Sequence, residues 1–130
     1  MTKDVPLGTH AEVVRTVELA NTLQGHHADL PPVLSTPNMI GWMEFACYLA
    51  TESFCEPGEI TVGTAIHVSH RLPTGIGSRV VSRAVLEKIE GRFYRFRVTA
   101  HEGDRLLGEG TVDRAFVHVE RFMGKHKVAG

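Results

Sequence analysis

The chain has little of what usually announces a specialised protein class. Its 130 residues include two cysteines, Cys47 and Cys55, too few for a disulfide framework and spaced like neither a zinc site nor a redox motif. Fourteen Lys and Arg residues against fifteen Asp and Glu leave a formal charge of -1, so no overall field draws the chain to nucleic acid or to an anionic membrane. No stretch approaches the ~20 consecutive apolar residues of a membrane span, and residues 1–10 hold no apolar core of an export signal. The expected location is the cytoplasm, where both thiols stay reduced. Glycine-rich phosphate loops, internal repeats and low-complexity tracts are also missing from the sequence. What remains is a hydrophobic fraction of 42% with 22% charged residues, the composition of one ordinary globular domain over residues 1–130.

The patterning predicts a strand over 11–18, a polar loop, one long helix over 37–54, and four further strands over 60–70, 79–89, 92–101 and 106–119. Glu90-Gly91 and Glu102-Gly103-Asp104 are turn signals, which make the last three strands an antiparallel meander. The strand over 79–89 spans about 36 Å at ~3.3 Å per residue, well beyond a typical strand. Long antiparallel strands twist strongly, so the sheet is expected to wrap around the single helix. The expected fold is α+β, a hot-dog fold in which an antiparallel five-stranded sheet surrounds one long central helix. One helix covers only part of such a sheet, so a homodimer is expected, with the sheet continuing across its interface.

The helix is the most informative segment. From Met39 to Ala50 its only carboxylate is Glu44, in surroundings apolar on every side. An acid buried without a partner costs several kcal/mol, so Glu44 needs either a partner or a function, and Tyr48 one turn on is a candidate donor. Thr36 is expected to be the N-cap, with Pro37 at the first helical position. A hydroxyl there has two readings: a cap worth about 1 kcal/mol, or a nucleophile or water-orienting group at the positive end of the helix. Strand alternation puts Val62, Thr64, Ile66, Val68 and His70 on one face and Gly63, Ala65, His67 and Ser69 on the other. His67 and His70 are thereby separated, and no metal-ligand cluster is expected. Gly63 reads as a bulge or close backbone approach, and Arg114 shares a strand face with Val112 and Phe116.

These residues together resemble a known family. Thr36-Pro37 through Gly41, Met43-Glu44 and Ala46 are similar to the helix motif of the fluoroacetyl-CoA thioesterase-like group of hot-dog proteins. Val62-Gly63-Thr64 followed by His70, Pro73 and Gly75 resembles the next strand of that family. Gly108, Gly110, Arg114 and Glu120-Arg121-Phe122 resemble its last strand and tail. The resemblance runs from about Pro32 to Phe122. It implies an acyl-CoA thioesterase that releases a free acid and CoA, with Thr36, Glu44 and His70 catalytic. It also implies Gly63 and Arg114 near the reacting thioester, and a pantetheine arm held between two subunits.

In the scheme that follows, His70 is the general base toward Thr36 or a water that Thr36 holds. Glu44 orients His70, attacks, or activates water. Backbone N–H groups of Asn38, Met39 or Gly63 bind the oxyanion, since Pro37 has none to give. No metal and no separate cofactor are called for, CoA being part of the substrate. The family's fluoroacetyl selectivity is not expected to carry over: residues 23–33 are short and lack an aromatic, Leu30 stands near the position of a lid phenylalanine, and Pro37-Asn38 replace a glycine and a phenylalanine. Leu30 and Asn38 are therefore expected at the acyl-binding end, and a different short or polar acyl group is expected as substrate. The alternative function is a non-catalytic dimer that binds acyl-CoA or another small ligand on the same scaffold.

Overall fold

The computed structural model describes residues 3–126. Strand β1 (His10–Thr16) is followed by a 3-10 turn (Leu19–Asn21), a four-residue helix α1 (Leu23–His26) and the long helix α2 (Thr36–Thr51), which a second 3-10 turn (Glu52–Phe54) prolongs. Four long strands come next, β2 (Glu59–His70), β3 (Arg79–Glu90), β4 (Phe93–Glu102) and β5 (Arg105–His118), then a short helix α3 (Val119–Met123). All five strands form one antiparallel sheet in the order β1-β3-β4-β5-β2. The meander β3-β4-β5 fills its centre, and α2 connects the two edge strands. Among the described residues no helix is long and apolar enough to cross a membrane.

The core lies between the concave side of the sheet and one side of α2. Met39, Met43, Ala46, Cys47 and Ala50 of the helix are buried against Val13, Val80, Ala84, Leu86, Phe96, Val98, Ala100 and Val112. Gly108 makes room for the helix: a Cβ there would stand 2.6 Å from the Met39 methyl. The expected all-round burial of α2 is not met. Gly41 and Phe45 on its other side are exposed, Phe45 by 42%, and Trp42, Tyr48 and Leu49 are half-buried. One sheet covers only the side of a helix that faces it, so an apolar sequence on all sides leaves an apolar surface over.

Two local expectations are corrected. Ser35, not Thr36, caps α2, accepting from the Asn38 N–H at 3.3 Å, and Thr36 and Pro37 occupy the first two helical positions. The face assignment in β2 also fails partway. Gly63 stands opposite Arg114 and Ala65 opposite Asp113, so Thr64 is the extra residue of a bulge. Val62 and Thr64 therefore do not share the face of Ile66, Val68 and His70. Gly63 does, because one inserted residue switches the parity. The bulge precedes His67, so His67 and His70 remain on opposite faces.

Candidate active site

Thr36 and His70 come together at the N-terminal end of α2. Ser35 takes over the capping role, which frees the Thr36 hydroxyl, and Thr36 Oγ1 lies 2.8 Å from His70 Nδ1. His70 ends β2 opposite Gly108. The segment before the helix is tied to the loop after β2 by Leu34 N–H donating to Thr74 O at 2.8 Å and by a bridge between Val33 and Gly75. Between them lies a cavity of about 240 Å³, lined by Thr36, His70, Leu23, Val33, Leu72 and Arg71 among others. The other ring nitrogen, His70 Nε2, is sealed off, with less than 1 Å² of accessible surface and no hydrogen-bond partner.

Glu44 belongs to a second cluster. Its Oε2 is 3.4 Å from Arg114 Nη1, and its carboxylate lies directly over Gly63, where a Cβ would come within 3.2 Å of Oε2. A Cβ at position 63 would oblige the Glu44 carboxylate to give by a few tenths of an ångström. Arg114 is 6% exposed and donates to Thr61 twice, from Nε to Oγ1 at 3.1 Å and from Nη2 to the carbonyl oxygen at 2.6 Å. Burial holds its guanidinium below its ordinary range, with the nearby Glu44 opposing that shift. Glu44 is thus the partnered carboxylate the sequence called for, with Arg114 as the partner instead of Tyr48. The Tyr48 phenol is instead pushed up, chiefly by Glu52. Glu44, Arg114, Gly41, Phe45 and Tyr48 line an open cavity of about 370 Å³ on the uncovered side of α2.

The two clusters do not meet within one chain. Thr36 and Glu44 are eight residues apart on one helix, about 12 Å at 1.5 Å per residue. Glu44 therefore does not orient the His70 of its own chain. Leu30 is 42% exposed and is absent from the lining of the Thr36–His70 cavity. The Asn38 amide is turned to Ser35 Oγ at 2.6 Å, with His26 and Asn21 nearby, and so is not brought to the acyl end within this chain. The N–H groups of Asn38 and Met39 are likewise engaged, by Ser35 Oγ at 3.3 Å and Ser35 O at 3.1 Å. They are not free oxyanion donors. Thr61, which fixes Arg114, has no sequence signal of its own: it stands opposite Phe116, two residues before Gly63 on the same face of β2, and only the buried arginine beside it gives its hydroxyl a role.

Cys47 is fully buried, and burial pushes its thiol up to about 12, as suits an inert core residue. No group of His, Cys, Asp and Glu suited to a metal ion occurs among the described residues.

Comparisons with known proteins identify the family. The family model described as fluoroacetyl-CoA-specific thioesterase matches residues 14–120. A fluoroacetyl-CoA thioesterase of Streptantibioticus cattleyicolor is 44% identical over 98 residues, 75% of this chain and 70% of that protein. A solved structure of the fluoroacetyl-CoA thioesterase FlK superposes with a TM-score of 0.88 at 36% identity, covering 94% of this chain and 95% of that one. A thioesterase superfamily member of Thermus thermophilus gives a TM-score of 0.87 at 26% identity, covering 95% of this chain and 92% of that one. With its hot-dog fold and its Thr36–His70 and Glu44–Arg114 clusters, the chain belongs to the fluoroacetyl-CoA-specific thioesterase family and is a thioester hydrolase.

Proposed function

We propose that the chain hydrolyses a short acyl-CoA as a homodimer, each reacting centre combining Thr36 and His70 of one copy with Glu44 of the other. The observation that carries this is the 2.8 Å Thr36–His70 contact set about 12 Å from Glu44 along one helix. A thioester carbonyl touching Thr36 is out of reach of the same chain's Glu44. Support for a second copy comes from β2, an edge strand exposed from Gly63 to His67, and from the uncovered apolar side of α2 next to Glu44. Related structures were solved with acetyl-CoA and with fluoroacetate and CoA bound, which favours a CoA ester as substrate.

The buried, unpartnered Nε2 supports a particular role for His70. An N–H buried there without an acceptor costs roughly 1–3 kcal/mol. The neutral ring accordingly carries its proton on Nδ1 and donates it to Thr36 Oγ1. In this reading His70 positions Thr36, whereas the base role expected from the sequence needs the opposite tautomer, and the Thr36 O–H is left free to donate into the cavity. Water activated by Glu44 adds to the thioester carbonyl carbon, and its proton passes to the carboxylate. The oxyanion is held by the Thr36 O–H and the positive end of α2. Collapse breaks the carbon–sulfur bond, and the proton goes to the departing CoA sulfur. No metal and no cofactor take part. The acyl group is taken to differ from fluoroacetyl because the short segment 23–33, whose Leu23 and Val33 line the Thr36–His70 cavity, carries no aromatic, and two unpaired thiols fit the cytoplasm.

The test is thiol release from a panel of short, branched, aromatic and polar acyl-CoAs, with the parent and Glu44→Gln. Hydrolysis of one acyl class that falls ~10²–10⁴-fold in the variant supports the reading. Saturable CoA-ester binding by a folded dimer without turnover replaces it with a non-catalytic binding protein.

A further inference from the structure

The turn between β4 and β5 reaches back to the candidate site. Glu102 and Arg105 face each other across its two residues, Gly103 and Asp104. Glu102 Oε1 accepts from Thr74 Oγ1 at 2.8 Å and from Arg105 Nη1 at 2.7 Å, and Arg105 Nη2 donates to the Pro73 carbonyl at 3.0 Å. The hydroxyls of Thr74 and then Ser78, with Arg105, hold the Glu102 carboxyl below its ordinary range. Closing the hairpin needs only the contact between Glu102 and Arg105. The bond to a threonine of another loop serves something else.

Thr74 is 5% exposed and bonds in two directions. Its hydroxyl donates to Glu102, while its carbonyl accepts the Leu34 N–H at 2.8 Å, two residues before Thr36. Gly75 beside it is bridged to Val33. His70 is held differently: the Arg71 and Leu72 N–H groups that follow it both donate to Leu107 O of β5, at 2.6 and 3.2 Å. The sheet thus fixes His70, whereas the approach to Thr36 is tied to the loop over 71–78 that Glu102 anchors. Pro73, whose carbonyl Arg105 holds, lines the Thr36–His70 cavity together with Val33 and Leu34.

We propose that Glu102 is a positioning residue for the Thr36–His70 pair. Through Thr74 and Leu34 it fixes where the start of α2 sits against the end of β2. Its effect on turnover rests on the acyl-CoA reading above, and its effect on the His70 ring does not. Misplacing a reacting group by about 1 Å costs on the order of 10²-fold in rate, so a brace outside the cavity has a measurable effect.

The experiment measures kcat and KM, with thermal midpoints, for the acyl-CoA that the parent turns over fastest. Glu102→Ala and Thr74→Val are each expected to lower kcat at least about tenfold with little change in KM. The double variant is expected to lose no more than either single one, because both break the same bond. Glu102→Gln, whose amide oxygen still accepts from Thr74, is expected to keep most of kcat. Glu12→Ala, which breaks the exposed pair with Arg83 at the opposite edge of the sheet, is expected to match the parent. Parental kcat in Glu102→Ala, losses that multiply in the double variant, or a Glu102→Gln as impaired as Glu102→Ala overturns the proposal. If the parent turns over no ester, the acyl-CoA reading fails by itself and the nitrogen-15 signals of the His70 ring decide. A shift in Glu102→Ala that Glu102→Gln restores upholds the brace, and signals unchanged from the parent overturn it.

Discussion

Thr36 and His70 are 34 residues apart in sequence and 2.8 Å apart in space, and the contact exists because Ser35 caps the helix in Thr36's place. If His70 acts by donating its Nδ1–H, the side-chain amide of asparagine can stand in for that donor. His70→Asn should then retain far more kcat than His70→Ala, while Thr36→Val should lose about 10²–10³-fold. Nitrogen-15 spectra of the parent should show the Nδ1–H tautomer. Equal losses in the two His70 variants, with the proton found on Nε2, would return His70 to the role of base.

Gly63 holds the Glu44 carboxylate in place by having no side chain. Gly63→Ala puts a methyl group 3.2 Å from Oε2, and the position is exposed, so the fold should tolerate it. Activity should fall sharply while the thermal midpoint moves by only a few degrees. A fully active Gly63→Ala would show that the carboxylate's position is unimportant.

Arg114 is buried with three hydrogen bonds, one of them to Glu44. Arg114→Ala leaves Glu44 and Thr61 without their donor and opens space beside the core. The loss expected is about 3–5 kcal/mol of stability, read by denaturant unfolding, together with loss of turnover. Arg114→Lys should recover part of the stability, because one ammonium cannot reproduce the forked contact to Thr61.

Acid sensitivity follows from Asp113. The hydrogen bonds from Arg95 at 2.8 and 3.1 Å hold its carboxyl below the usual range. A group depressed in the folded state contributes stability that is complete above its unfolded value, about 3.9, and is lost as pH falls through the folded one. Asp113→Asn should lower stability at neutral pH and flatten its decline below about pH 4. An unchanged acid limb in urea titrations would sink this attribution.

The thiols offer a simple check on packing. With burial pushing Cys47 up to about 12, a thiol reagent at pH 8 should modify it only after unfolding, whereas half-buried Cys55 should react first. Rapid native labelling of Cys47 would mean that the core beside Arg114 is open.

The fold was readable because its signals are local. Long alternating strands, two glycine turns and one largely apolar helix carry the order of elements, and their observed ends fall within two or three residues of those expected. The bulge at Thr64 was not readable, since Gly63 signals an irregularity without saying where the extra residue falls. Ser35 and Thr36 are both good capping residues, and only the meeting with His70 separates them. Arg114 was seen on the right face beside Val112, but its contact with Glu44 depends on how α2 crosses the sheet. Leu30 and Asn38 were placed at the acyl end by resemblance alone, and local hydrogen bonding turns Asn38 elsewhere.

The most direct test of a site shared between two copies is to mix Thr36→Val and Glu44→Gln proteins, dissociate them and let them reassociate. Each variant alone should be nearly inactive. In random mixed dimers one of the two sites regains both an intact Thr36 and an intact Glu44, so about a quarter of parental activity should return. No recovery, with mixed dimers demonstrated, would mean that Thr36 and Glu44 must come from the same chain and would contradict the account.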